Sequence, residues 1–227
     1  MAAYFTPALF GFLAELEANN DRAWFQANRD RYIDDVQEPA LSFIADFAPR
    51  LKGISPHFRA DAKVQGGSLF RIHRDTRFSA DKTPYKTNTG VHFRHERSKD
   101  AHAPGYYLHL QPGECFMGAG LWHPETKVAY QIRQRIVEDP VGWETAAYGA
   151  AFTDVYSLGG DSLVRVPKGF DADHPLIDDL KRKDFIASVR LTEKQVTGPE
   201  FMDEFADLCE RATPFMGFLC GAVGVEF

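Results

Sequence analysis

Helical spacing dominates the first third of the chain. Thr6-Pro7 supplies an N-cap followed by proline at the first helical position, and Phe10, Leu13, Ala14 and Glu17 then recur at helical intervals. Asn19-Asn20 ends that helix and Asp21 caps the next, whose stripe runs through Trp24, Phe25, Asn28, Tyr32 and Val36. Pro39 interrupts or restarts it, and Leu41, Ile44, Phe47 and Ala48 carry a third apolar face. Aromatics at helical spacing face a core, so Trp24 and Phe25 are read as structural. Residues 49–63 hold Pro49, Gly53 and Pro56 and read as a connection.

Beyond Gly66-Gly67 the period changes from helical to two. Phe70 and Ile72 alternate with Arg71 and His73, and later Val91 and Phe93 alternate with His92 and Arg94. Between these two strands the run from Asp75 to Lys86 has no period. Ser79, Asp81 and Pro84 are turn formers there, and Thr83, preceding proline, is pushed toward extended geometry. Residues 96–105 read as a polar loop, Tyr106 to Gln111 as a strand, Pro112-Gly113 as a turn, and Glu114 to Met117 as the start of another strand. Neighbouring strands with short links predict an antiparallel meander.

Helices return at Pro124, through Val128, Ile132 and Ile136, and at Asp139-Pro140, through Trp143 and Ala147. Leu163 to Val166 and Phe185 to Leu191 read as strands, and 175–182 as a short helix. Thr197 and Glu200 have capping-box spacing ahead of a helix lined by Phe201, Phe205, Leu208, Cys209 and Ala212. Thr213-Pro214 kinks or restarts that helix. Together these elements predict an α+β fold. The single domain spans 1–227, with a mainly antiparallel sheet flanked by helices at the N- and C-terminal ends. N-terminal helices occupy 6–50, the sheet core 64–120, and helices with returning strands 124–227.

Composition fits this picture. The 227 residues are 44% hydrophobic and 26% charged, as in ordinary soluble domains, and nineteen phenylalanines predict an aromatic core. Cys115, Cys209 and Cys220 are scattered and odd in number, which points to reduced thiols. With no basic, apolar leader and no run of 18 apolar residues, the expected location is cytoplasmic, with no membrane partner. A pI near 5.7 argues against a general duplex-DNA binder.

Charge singles out one stretch. From Arg71 to Lys99 eight cations (Arg71, Arg74, Arg77, Lys82, Lys86, Arg94, Arg97, Lys99) face three acids (Asp75, Asp81, Glu96), a local +5 in a chain of net −6. Such an island concentrates anions. Arg71, Arg74, Arg77, Lys82 and Lys86 are the anion-binding candidates, because guanidinium offers planar paired donors and ammonium a compact charge. Backbone amides from Ser79 to Thr83 would add an anion nest. Tyr85, beside Lys86 and near Lys82, and Asp75 are the catalytic candidates; two ammonium groups would favour a phenolate, and Asp75 would serve as a base or orient cations. A third role for these charges is mutual neutralisation, tying the loop to its sheet.

The stretch Arg71-Ile-His-Arg-Asp-Thr-Arg-Phe-Ser-Ala-Asp-Lys-Thr-Pro-Tyr-Lys86 closely resembles the signature of a protein family, domain of unknown function 2461. So do Asn19-Asn20 with Trp24-Phe25, Tyr106-Tyr107 with Pro112-Gly113, Trp122-His123-Pro124, and Pro167 to Phe170 with His174-Pro175. The resemblance covers nearly the whole chain. It implies a single α+β domain and supplies no established activity. Two positions depart from it: His73 stands where the family often shows tyrosine, and Gly118-Ala119-Gly120 replaces a fuller glycine run.

Other motifs are weaker. His92 and His109 would share a metal with Asp75 or Glu114 only if their strands aligned them, so no metal ligands are assigned. Gly118 to Gly120 before Trp122 would place a glycine turn at a helix N-terminus as an anion cradle, with tight packing of a turn as the plainer role; Trp122 is read first as a core aromatic and second as a ring that stacks on a ligand. There is no Walker loop, dinucleotide fingerprint or nucleophile elbow. The leading expectation is recognition of a small phosphorylated or carboxylated metabolite at the Arg71–Lys86 loop, with catalysis there as the narrower version. The alternatives are a nucleic-acid module using the same cations with Tyr106, Tyr107 and Trp122 as stacking surfaces, and a scaffold whose loop charges are paired internally. The sequence names no cofactor and no oligomeric state.

Overall fold

A computed structural model describes residues 3–97 and 104–227. Lys99 and most of the loop expected at 96–105 therefore lie outside the described residues.

The helical start forms as its caps dictate. Thr6 accepts from the Ala8 amide at 3.3 Å and opens α1 (Pro7–Ala18); Asp21 accepts from the Trp24 amide at 2.9 Å and opens α2 (Arg22–Ala27). A single turn, α3 (Arg29–Tyr32), runs through a π-helical segment (Ile33–Gln37) into α4 (Glu38–Ile54). The wide turn sits just before Pro39, whose ring and missing N–H disturb a regular helix. The connection expected from residue 49 instead begins after Ile54. The helix continues through Pro49 because its buried stripe, Phe43, Ile44, Phe47 and Leu51, extends past the proline.

The meander is present as β1 (Thr89–Arg94), β2 (Gly105–Gln111) and β3 (Glu114–Leu121). Next come α5 (Thr126–Glu138), α6 (Pro140–Tyr148), the turn α7 (Ala150–Thr153) and β4 (Ser157–Gly159). The turn α8 (Ile177–Leu180), β5 (Phe185–Leu191), α9 (Glu193–Val196), α10 (Phe201–Arg211) and α11 (Thr213–Ala222) complete the order. Among the described residues the strands form one antiparallel sheet, β1-β2-β3-β5-β4. The architecture is α+β, and among the described residues no helix is long and apolar enough to cross a membrane.

Three predicted elements differ. Residues 163–166 are not a strand: Val164 is 96% exposed, and Leu163 makes one backbone bond, to Lys181, so nothing continues a ladder. β4 lies earlier, on the edge of β5. The capping box forms at Thr192 and Gln195, while Thr197 donates its hydroxyl to the Glu193 carbonyl at 2.8 Å. The helix expected at 175–182 is the single turn α8.

Register divides the sheet into two faces. Val91, Phe93, Tyr106, Leu108, Leu110, Met117 and Ala119 point into the core, against α1, α10 and α11. Phe47 joins the layers, with ring centroids 4.9 Å from Phe93 and 5.0 Å from Phe205. The opposite face carries His92, which is buried, and Tyr107, His109 and Phe116, which are part-buried. Tyr106 is fully buried on the core face, which removes it as a stacking surface; Tyr107 alone of that pair faces outward.

Candidate functional site

The basic motif forms an irregular hairpin growing from the free edge of β1. Leu69 bridges Val91, and the Phe70 amide donates to the Gly90 carbonyl at 2.9 Å. Further out His73 bridges Tyr85, the Lys86 amide donates to Ile72 O at 2.8 Å and the Arg74 amide to Pro84 O at 2.9 Å. The step from Leu69 to His73 covers four residues, while that from Tyr85 to Val91 covers six. The returning arm thus bulges, and bulges re-aim side chains. The expected pairing of Phe70 with Ile72 on one face is lost. Leu69 and Ile72 go inward, whereas Phe70 lies against the rings of His92 and Tyr107, each 5.8 Å away.

Two residues of the N-terminal region, Asn20 in the connection between α1 and α2 and Phe25 in α2, hold the returning arm. Asn20 donates its amide to Tyr85 O at 3.0 Å and accepts from Tyr85 N at 3.1 Å, so one side chain acts as a strand partner. Phe25 stacks on Tyr85 with centroids 4.1 Å apart. Tyr85 is only 6% exposed, and its ring packs as a core residue. Sequence reasoning saw Asn20 as a helix end; the one signal linking it to the motif was their joint appearance in the family resemblance.

The five candidate cations separate into two groups. At the tip, Asp75 grips Arg77 with both oxygens, at 2.9 and 2.6 Å. Arg74 is bonded to Asp81 and to the Thr83 hydroxyl, and Asp81 also accepts from the Thr83 amide at 2.9 Å. Lys82 donates to the Thr76 carbonyl at 2.9 Å. These partners favour the charged carboxylates: Arg77 holds Asp75 down to about 2, and Arg74 with Thr83 does the same for Asp81. A carboxyl so acidic is a poor proton acceptor near neutral pH.

At the root, Arg71 and Lys86 make no ion pair among the described residues. Arg71, His73 and Arg94 line a cleft of about 490 Å³ with Phe70, Leu69 and the Val64–Gly67 turn. The Lys86 ammonium sits 5.2 Å from the centre of the Phe70 ring. Burial and then the Arg71 charge lower the Lys86 pKa, and among the described residues no carboxylate offsets them. The hairpin therefore brings Arg71, Lys86 and Arg94 to its base and keeps Arg74, Arg77 and Lys82 engaged at its tip.

The remaining candidates are placed by register. His109 lies opposite Gly90 and His92 opposite Tyr107, so the two histidines are offset rather than paired. His109 contacts Gln111 at 3.1 Å, and among the described residues no three His, Cys, Asp or Glu form a metal-binding group. Gly118-Ala119-Gly120 is not a turn at a helix end but part of β3. Gly120 has φ +123°, and a Cβ there would strike the Phe185 carbonyl. Trp122 is not a core residue; it is 53% exposed beside His123, whose Nδ1 lies 2.8 Å from the buried Asp184.

Residues 8–218 match the family described as conserved hypothetical protein, DUF2461. No curated protein matches the chain.

Proposed function

We propose, on the premise that this chain belongs to the DUF2461 family, that it binds a small phosphorylated or carboxylated metabolite at the root of the hairpin. Arg71 and Lys86 are the anchors, and Arg94 closes the cleft. One observation carries the reading: Arg71 and Arg94 line one cleft, Lys86 lies half-buried close to Arg71, and none of the three makes an ion pair among the described residues, while every tip cation has an internal partner. A half-buried ammonium beside a guanidinium is repelled and partly desolvated, and a bound anion relieves both costs. The cleft volume falls within the range of small-ligand sites.

The tip favours the paired-scaffold reading for Arg74, Arg77 and Lys82, which hold the loop rather than a ligand. Asp75 and Tyr85, committed to an ion pair and to packing, take the same structural role. A nucleic-acid role loses support with Tyr106 in the core.

A thermal-shift screen of carboxylated and phosphorylated metabolites, with short oligonucleotides alongside, tests this directly. Stabilisation by a small anion should disappear in Arg71→Gln and Lys86→Gln and persist in Arg77→Gln. Stabilisation lost only in Arg77→Gln would move the site to the tip. Steeply salt-dependent binding of oligonucleotides of any sequence would replace the proposal with the nucleic-acid reading.

A further inference from the structure

Just past β3 the chain turns at Trp122 and His123 before entering α5, two strands from the free edge of β1. His123 has φ +47°, a left-handed backbone that favours glycine. Such strain persists where surrounding contacts hold it, and it concentrates at functional sites. Here the hold is one buried carboxylate. Asp184 accepts the His123 amide at 2.7 Å, and the same oxygen lies 2.8 Å from His123 Nδ1. Its other oxygen accepts the Asp161 amide at 2.8 Å. Gly160 makes room for it: φ there is +87°, and a Cβ would lie 2.4 Å from the Asp184 Cβ.

An ionised carboxylate only accepts, so the neutral imidazole of His123 carries its proton on Nδ1 and its lone pair on Nε2. The side chain is 48% exposed, which leaves Nε2 as the nitrogen open to solvent. No other described histidine has this arrangement. His57 has a carboxylate at each nitrogen, Glu96 and Glu226. His95 and His174 accept backbone amides at Nδ1, from Arg97 and Leu176, which puts their proton on Nε2. His92 is buried, and His109 contacts Gln111 through Nε2. His73 is exposed, but it packs on Tyr85 and makes no ion pair among the described residues.

We propose that His123 is a nucleophile whose Nε2 takes the acyl group of a small, neutral, activated ester, with Asp184 as its positioning residue. The inference is independent of the anion reading of the root. Among the described residues no lysine or arginine pairs with Asp184 or Asp161, so an anion meets repulsion here and a neutral electrophile does not. The exposed Trp122 ring, 4.2 Å from the imidazole, gives an ester an apolar wall. The Nε2 lone pair bonds to the carbonyl carbon as the C–O bond breaks and the leaving group departs as an anion. The imidazolium so formed keeps its Nδ1 proton against Asp184. Water then attacks the acyl-imidazole, the C–N pair returns to Nε2, and the carboxylic acid leaves with the proton that balances the departed anion. A charged hydrogen bond that strengthens as the imidazolium forms is worth about ten-fold in rate.

Limiting diethyl pyrocarbonate, an acyl donor, applied to the full chain and read residue by residue by mass spectrometry, tests this. His123 should be labelled about ten-fold faster than exposed His73. Asp184→Asn should remove that advantage. His123→Gln should abolish most of the hydrolysis of p-nitrophenyl acetate by the folded protein. If Asp184→Asn fails to fold, the imidazole nitrogen shifts of the unaltered chain carry the test: neutral His123 should show its proton on Nδ1, a signature that mere packing does not require. A proton found on Nε2, labelling of His123 no faster than of His73, or p-nitrophenyl acetate hydrolysis unchanged in His123→Gln would overturn the proposal.

Discussion

Asn20 offers a sharp test of how the site is held. Its side chain makes two bonds to the Tyr85 backbone, at 3.0 and 3.1 Å, across 65 residues of sequence. Each such bond contributes about 1 kcal/mol net, and more if the freed group stays dry. Asn20→Ala should therefore cost about 2 kcal/mol, rising toward about 4 if water does not reach Tyr85 N and O. With an m-value near roughly 3 kcal/mol/M the urea midpoint falls by about 0.7–1.3 M.

Asn20→Asp keeps the shape and separates the two bonds. An ionised carboxylate still accepts from Tyr85 N but faces Tyr85 O with no proton to donate. The protonated acid restores the donor, so folding raises the pKa of the new carboxyl above its unfolded value of about 3.9. The sign follows from linkage: the variant approaches the parent below about 3.9 and loses stability as pH rises through the raised folded value. Urea unfolding at pH 3.5 and 7, with hydrogen exchange of the Tyr85 amide, reads both effects. An Asn20→Ala protein within about 0.5 kcal/mol of the parent, with Tyr85 protection unchanged, would refute the clamp.

Three further outcomes follow from the geometry. Carbon-detected titration should place Asp75 and Asp81 near about 2; because folding lowers both values, their contribution to stability is present above about 3.9 and is lost as pH falls through about 2, and Arg77→Gln should return Asp75 toward the ordinary range. Gly120→Ala should lower stability by about 3 kcal/mol or prevent folding, since φ +123° and the Phe185 carbonyl both oppose a side chain; a circular-dichroism melt checks this. Asp184→Asn weakens an acceptor that takes the His123 amide at 2.7 Å and the Asp161 amide at 2.8 Å. It should cost about 2 kcal/mol, read as a Tm lowered by about 4–8 °C.

The meander was legible because its strands alternate and its turn, Pro112-Gly113, is local. The caps at Thr6 and Asp21 were legible for the same reason, since each partner lies within three residues. The hairpin bulge was not, because two extra residues between Tyr85 and Val91 show only when both arms are paired. Nor was the split between tip and root cations. Asp75 and Asp81 were visible as neighbours, but which cation each would take depends on the fold of the loop. The aromatic face was the least legible part: Tyr107, His109 and Phe116 meet only through the β2–β3 register. Gly118 to Gly120 misled because paired glycines suggest a turn, while the β3–β5 ladder runs through them, and Trp122 misled because a tryptophan suggests a core, while it stands exposed just past the end of that ladder.

In the proposed function Lys86 and Arg71 await an anion. The ε-carbon of Lys86 reports its ammonium titration, which burial and the Arg71 charge should hold below the ordinary lysine value in the free protein. Saturating inorganic phosphate should raise that pKa, since a bound anion favours the ammonium. A Lys86 titration at the ordinary value in the free protein, or one that phosphate leaves unmoved, would contradict it.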